Sequence, residues 1–375
     1  MKSNYDILGN HIRLIDTRNT DSVTDRVLGI NIDKFFMPSV ANVIGTDLSK
    51  YKLITKGKFA CNPMHVGRDE RLPVALFEED EPAIVSPAYF MFEIIDENVL
   101  DENYLMMWFR RPEFDRICWL HTDGSVRGGI TWDDICRLEL PVPAIEEQRE
   151  IVRSYKAITE RIAIKRQIND NLLNTVDAVF SKMFLETTME ENVSFTDIVQ
   201  LMGGGTPKTD EPDYWDGEIP FFTPKDVSDS PFCIATEKNL TQSGLDCCSS
   251  KLYPPHTTFV TCRGTVGNLS MAGIPMAMNQ SCYALKGKTG YPPFFIFAFT
   301  RYVIATMKKK ASGAVFSALV TRDFEMEKVF YPSADTAQAF QSRVEPLFNS
   351  ILENTNEILE LSHLSQVLLS RLSSR

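Results

Sequence analysis

Apolar positions along the chain fall into two textures. From about Ile145 to Leu185 they recur with alternating steps of four and three, at Ile151, Tyr155, Ile158, Ile162, Lys165, Asn169, Leu172, Val176, Val179 and Met183. This is a heptad seam with a polar middle, and it predicts a single long helix. A second seam runs from about Thr336 to the C-terminus: Phe340, Val344, Leu347, Ile351, Asn354, Ile358, Leu361, Ser365, Leu368 and Leu372, each 189 residues after its counterpart. A lone heptad stripe more often marks a core-facing helix than a coiled coil. Two stripes of equal length, in phase with a repeat, favour two helices that pair with each other.

The same offset of 189 aligns Gly124 and Val126 with Gly313 and Val315, Asp134 with Asp323, and Pro143 with Pro332; Gln148 meets Gln338 one residue out of step. A duplicated unit therefore ends, in each half, in a Pro, a Gln and a long helix. The two segments outside the helices are mixed. Short β-branched or aromatic runs such as "TTFVTCRG" and "PAIVSPAYFMFEII" are broken by Pro and Gly at turn positions. Each segment also holds an aromatic helical stretch, "ENYLMMWFRRPEFDRICW" in the first and "PPFFIFAFTRYVIATMKKK" in the second. The expected fold class is α+β: mixed domains at 1–143 and 187–333, and spacer helices at 144–186 and 334–375 that form an antiparallel coiled coil with an internal pseudo-two-fold repeat. That symmetry places Asn169 opposite Asn354, as helix-pair register residues, and position 165 opposite 358.

Charge changes the picture. The formal net charge of −11 argues against a protein that coats nucleic acid through bulk positive charge, so any such contact needs a locally basic face. Between Asp246 and Asp323 there is no acidic residue, yet the interval holds Lys251, Arg263, Lys286, Lys288, Arg301, Lys308, Lys309, Lys310 and Arg322. The eight cysteines form no Cys-x-x-Cys pair and the five histidines show no ligand spacing, which speaks against zinc. His65 reads as a structural or surface residue. No signal peptide is recognisable at "MKSNYDILGN", so reduced thiols in a cytoplasmic protein are expected, and "FFIFAF" is far short of the ~20 residues that cross a bilayer, so no membrane partner is.

The run "LMGGGTPKTDEPDYWDGEIPFFTPKDV" suggests a phosphate-cradling loop, but no Gly stands directly before a Lys-Ser/Thr pair that opens a helix, because Lys208 is followed by Thr209, acidic residues and Pro212. With "LPVPAIEEQREIV" and "NLLNTVDAVFSKMF", this run resembles the DNA-specificity subunit of type I restriction–modification systems over the whole chain. The first domain departs from the pattern: it lacks the Gly-Gly-Thr-Pro opening and begins "YDILGNHIRLIDTRNTDS".

The resemblance implies a non-catalytic reader of double-stranded DNA with a bipartite target. Two methyltransferase subunits would dock on it, with an ATP-dependent restriction subunit. No cofactor is expected in this chain; S-adenosylmethionine and ATP belong to the partners. Thr206, Lys208 and Lys225 are placed to hold phosphates. Arg263, before Gly264, is the leading base reader, because a guanidinium fork matches guanine O6 and N7. In the first domain Phe59 takes the part of Phe259, and Arg68 and Arg71 are the basic candidates, though Asp69 and Glu70 offer them partners. Arg127 and Lys308 to Lys310 fall near the aligned Gly124 and Gly313. The competing classes are a coiled-coil adaptor that binds only protein and a DNA-modifying enzyme, for which neither a Pro-Pro-aromatic motif nor a nuclease spacing is found.

Overall fold

The β-branched runs form strands and both heptad stripes form helices. A computed structural model describes residues 5–40, 45–64, 66–122, 128–186, 191–310 and 318–372, so His65 and Arg127 lie outside the described residues. The chain divides into two units, Met1–Glu160 with Leu361–Arg375, and Arg161–Glu360.

In the first unit the strands are β1 (Tyr5–Ile7), β2 (Ile12–Ile15), β3 (Val27–Ile30), β4 (Phe36–Pro38), β5 (Lys52–Ile54), β6 (Lys58–Cys61), β7 (Val74–Phe77), β8 (Ala83–Val85), β9 (Phe90–Ile94) and β10 (Glu139–Pro141). The helices are α1 (Val66–Asp69), α2 (Glu102–Phe109), α3 (Pro112–Leu120) and α4 (Trp132–Cys136), followed by α5 (Ile145–Phe184), whose first sixteen residues, 145–160, belong here. One sheet has the order β2-β9-β6-β7, a second the order β4-β3-β8-β5, and β1 pairs with β10. Phe59 and Phe92 stack at 5.1 Å, and Phe109 meets them edge-on. Each such ring contributes about 1.5–3 kcal/mol on full burial.

The second unit repeats this plan. Its strands are β11 (Glu191–Ser194), β12 (Val199–Gly203), β13 (Trp215–Phe222), β14 (Phe232–Cys233), β15 (Asn239–Leu240), β16 (Thr258–Thr261), β17 (Leu269–Ala272), β18 (Ala277–Met278), β19 (Cys282–Gly287) and β20 (Lys328–Phe330). Its helices are α6 (Phe195–Ile198), α7 (Gln242–Asp246), α8 (Pro293–Lys310), α9 (Thr321–Met326) and most of α10 (Ala334–Arg371). The order β12-β19-β16-β17 matches β2-β9-β6-β7 strand for strand. The parallel pair β13/β18 matches β3/β8, and β11/β20 matches β1/β10.

Several aligned residues now have a reason. Asp134 and Asp323 each sit in the first turn of a short helix, where Asp134 accepts from the Thr131 hydroxyl at 2.5 Å and Asp323 from the Val320 amide at 2.8 Å. Gln148 accepts from the Asp101 amide at 2.9 Å, at the head of α2. Its expected counterpart, Gln338, is exposed; the equivalent bond is made by Gln341, which accepts from the Phe294 amide at 3.0 Å at the head of α8. The aromatic stretches also differ. The second is one helix, but the first breaks at Arg111, whose extended backbone (φ −75°, ψ 141°) is what a following Pro imposes.

Every seam position of α5 and α10 within the described residues is buried or half-buried, while neighbours such as Arg166, Asp170, Glu353 and Asn356 are exposed. In the second unit the two helices run antiparallel. Asn354 Nδ2 donates to Asn169 Oδ1 at 2.8 Å, Lys165 Nζ to Asn354 Oδ1 at 2.7 Å, and further along Phe180 and Phe184 pack on Phe340. Lys165 also pairs with Glu357 at 2.9 Å, and Arg161 pairs with the same carboxylate. In the first unit Val152 and Tyr155 share a core cluster with Leu372.

Candidate nucleic-acid interface

The β16–β19 ladder leads to the leading candidate. Its last register pair is Thr261 with Cys282; beyond it the Cys262 amide donates to Ser281 O at 2.7 Å, while Cys262 O accepts from the Leu319 amide at 3.0 Å. Arg263 comes next, exposed at the head of the turn to β17, with no ion-pair partner among the described residues. Gly264 (φ +78°) and Gly267 (φ +77°) allow that turn its left-handed corners. The turn is pinned from inside. Thr261 Oγ1 accepts from the Asn268 amide at 3.0 Å, and Lys308 Nζ donates to Gly267 O at 3.2 Å. The end of α8 thus supports the Arg263 turn.

The glycine run has a different task from cradling phosphate. A Cβ on Gly204 would lie 2.2 Å from Asn279 O, and one on Gly205 would lie 2.2 Å from Ser249 Oγ. The Gly205 amide is already spent on Met278 O at 3.2 Å. Gly204 lets the loop after β12 lie directly against Met278 and Asn279, at the turn between β18 and β19, and Gly205 lets it pass close to Ser249. Thr206, the next residue, donates its hydroxyl to Gln280 Oε1. Trp215 Nε1 holds Lys208 O at 3.0 Å and its ring meets Phe221 edge-on at 5.5 Å, which leaves the Lys208 ammonium exposed.

The remaining candidates divide clearly. Lys225 is exposed, 3.8 Å from Glu237, in a turn that follows Phe222, whose carbonyl accepts the Asn279 amide at 3.0 Å. Lys309 is exposed, whereas Lys310 pairs with Glu327 at 2.7 Å. The structure therefore gathers Arg263, Lys308, Thr206 and the approach to Lys225 around one set of turns in the second unit. In the first unit the β6–β7 loop is occupied by internal pairs: Arg68 with Asp69 at 2.6 Å and Arg71 with Asp33 at 2.9 Å. That loop is anchored from beneath. Asp115 accepts from the Leu72 amide at 3.1 Å and from buried Lys34 at 2.7 Å. Burial holds the Lys34 ammonium below its ordinary pKa, and Asp115 opposes that shift. With Phe59 in the part of Phe259, Pro63 stands where the second unit has Arg263.

Among the described residues, no group of three or more His, Cys, Asp or Glu is arranged to hold a metal, and no helix is long and apolar enough to cross a membrane. The fold and its turns define a class: an α+β chain with two copies of one mixed domain and two long helices. Residues 189–361 match the family model of the type I restriction modification DNA specificity domain, and the first half of the chain repeats the topology of that stretch. The chain is 29% identical over 171 residues to the type I restriction enzyme MjaIX specificity subunit of Methanocaldococcus jannaschii, covering 44% of this chain and 39% of that protein. It is 27% identical over 185 residues to the HindI specificity subunit of Haemophilus influenzae, covering 48% and 40%. Those matches thus span well under half the length of either relative. The putative MjaX specificity subunit of M. jannaschii is 21% identical over 374 residues, covering 92% and 82%. The fold is shared with the crystal structure of the type I restriction–modification S subunit from M. genitalium, at TM-score 0.60 and 15% identity, covering 99% of this chain and 96% of that one.

Proposed function

We propose that the chain is the non-catalytic, sequence-reading subunit of a type I restriction–modification complex. Each mixed domain reads one half of a bipartite double-stranded DNA target, and the long helices set the spacing between the halves. Two methyltransferase subunits that carry S-adenosylmethionine bind it, and an ATP-dependent restriction subunit joins the complex. The observation that carries this reading is the Arg263 turn: an exposed guanidinium without an ion pair among the described residues, on a pinned hairpin whose turn is held by Lys308, in the acid-free part of an acidic chain. A two-stranded ribbon of this kind fits a major groove. The relatives' names agree with it, since each is called a specificity subunit.

The test is methylome sequencing of cells that carry the chain with its methyltransferase partners. A split methylated motif is the expected result. A protein-only adaptor would leave no motif and no DNA retention at moderate salt in any complex, and that result would overturn the proposal.

A further inference from the structure

Gln280 was not legible as a functional residue, yet its place in a turn beside Arg263 and its bond from Thr206 single it out. The ladder ends at Thr261 with Cys282, and one further bond, from the Cys262 amide to Ser281 O at 2.7 Å, ties the strand ends together, so Arg263 and Gln280 are the next residues along two neighbouring turns. Both residues are exposed.

The surroundings of Gln280 fix it. The Asn279 side chain accepts from the Ser281 amide at 3.0 Å, which makes the turn rigid, and the Asn279 amide donates to Phe222 O at 3.0 Å. Gly204 packs against Asn279 with no room for a Cβ, and so brings the Thr206 hydroxyl onto Gln280 Oε1. A carbonyl oxygen has two lone pairs, and the Thr206 hydroxyl takes one. Gln280 is left with a fixed amide plane that offers one acceptor lone pair and the Nε2 donors. That pairing complements adenine, which presents N6–H₂ as donor and N7 as acceptor in the major groove.

We propose that Gln280 is a base-reading residue for adenine, that it works beside Arg263 at an adjacent position of the same half-site, and that Thr206 is the positioning residue that orients its amide. This rests on the DNA-reading function proposed above. The glycine run then has a role in recognition without touching DNA: it sets the register of the loop that aims Gln280.

The experiment compares methylomes of cells carrying the partners with wild-type chain, Gln280→Ala, Gln280→Glu, Thr206→Val and Thr206→Ser. Gln280→Ala is expected to relax one adenine in one half-site, with discrimination there falling about ten- to a hundredfold, while every other base is kept. Gln280→Glu removes the donor and is expected to shift that position towards cytosine, whose N4–H₂ needs only an acceptor. Thr206→Val should blur the same position, and Thr206→Ser should restore it, which a merely structural role for the threonine would not produce. The retained bases show that each variant is folded. A motif unchanged by Gln280→Ala overturns the inference and leaves the reading function intact; a wild-type complex that produces no motif overturns the function itself.

Discussion

Among the described residues Arg263 has no ion-pair partner to lose, so its truncation tests recognition with little structural disturbance. Arg263→Ala is expected to relax one position, at a cost of about 1–3 kcal/mol in discrimination. Arg263→Lys keeps the charge but lacks the fork, and should retain affinity while losing most of the preference, read from methylation frequencies at that base. Gly204→Ala is the structural counterpart. Its methyl would meet backbone oxygen at 2.2 Å, so the loop must move, and a blurred Gln280 position is expected with the remaining half-site intact. Residue type alone pointed to Arg263, because an Arg before a Gly in a β-rich run has a recognisable chemistry. It could not point to Gln280, an ordinary polar turn residue whose significance comes from a neighbouring turn and a threonine 74 positions away. The first domain was opaque for a related reason: adjacency offered Asp69 to Arg68, but the partner of Arg71 is Asp33, 38 positions away, which only the structure shows.

The long helices were the most legible elements, since a heptad seam is a periodic signal that needs no tertiary information. The repeat added their antiparallel sense. The mixed domains were readable as a duplicated texture but not as sheets, because strand order depends on pairings between distant segments. Within the helix pair, the polar layer sets up two tests. Asn169→Leu alone strands the Asn354 Nδ2 donor in a site 9% exposed, and should cost about 1–3 kcal/mol. Replacing both asparagines by Leu removes that penalty and should leave the helices equal to wild type or more stable, at the expense of register. A thermal-melt double-mutant cycle that is additive would show that the asparagines do not act as a pair. Glu357 gives a pH dependence. Lys165 first, and then Arg161, hold its pKa below the ordinary 4.5. A depressed carboxylate stabilises fully above its unfolded value and loses that contribution as pH falls through the folded one. Melting of the wild type relative to Glu357→Gln should therefore converge as the pH drops below about 4.5.

For the molecule as a whole, an acidic chain must bind DNA through a few well-placed cations. Removing Lys308 and Lys309 should flatten the log–log salt dependence of binding by about two contacts' worth, whereas Lys310, already paired with Glu327, should contribute less. The proposed ruler can be lengthened. Four residues inserted after Asn169, with four more before Asn354, lie on the same side of the polar layer, so the pairing of Asn169 with Asn354 is kept. The insertion adds about 6 Å and just over one helical turn to both helices, which nearly preserves the seam. That length corresponds to about two base steps. Both half-sites should persist, because no reading loop is touched, and the number of unread bases between them should rise by one or two. A folded, partner-bound variant that still methylates at the original spacing would show that spacing is set elsewhere than in α5 and α10.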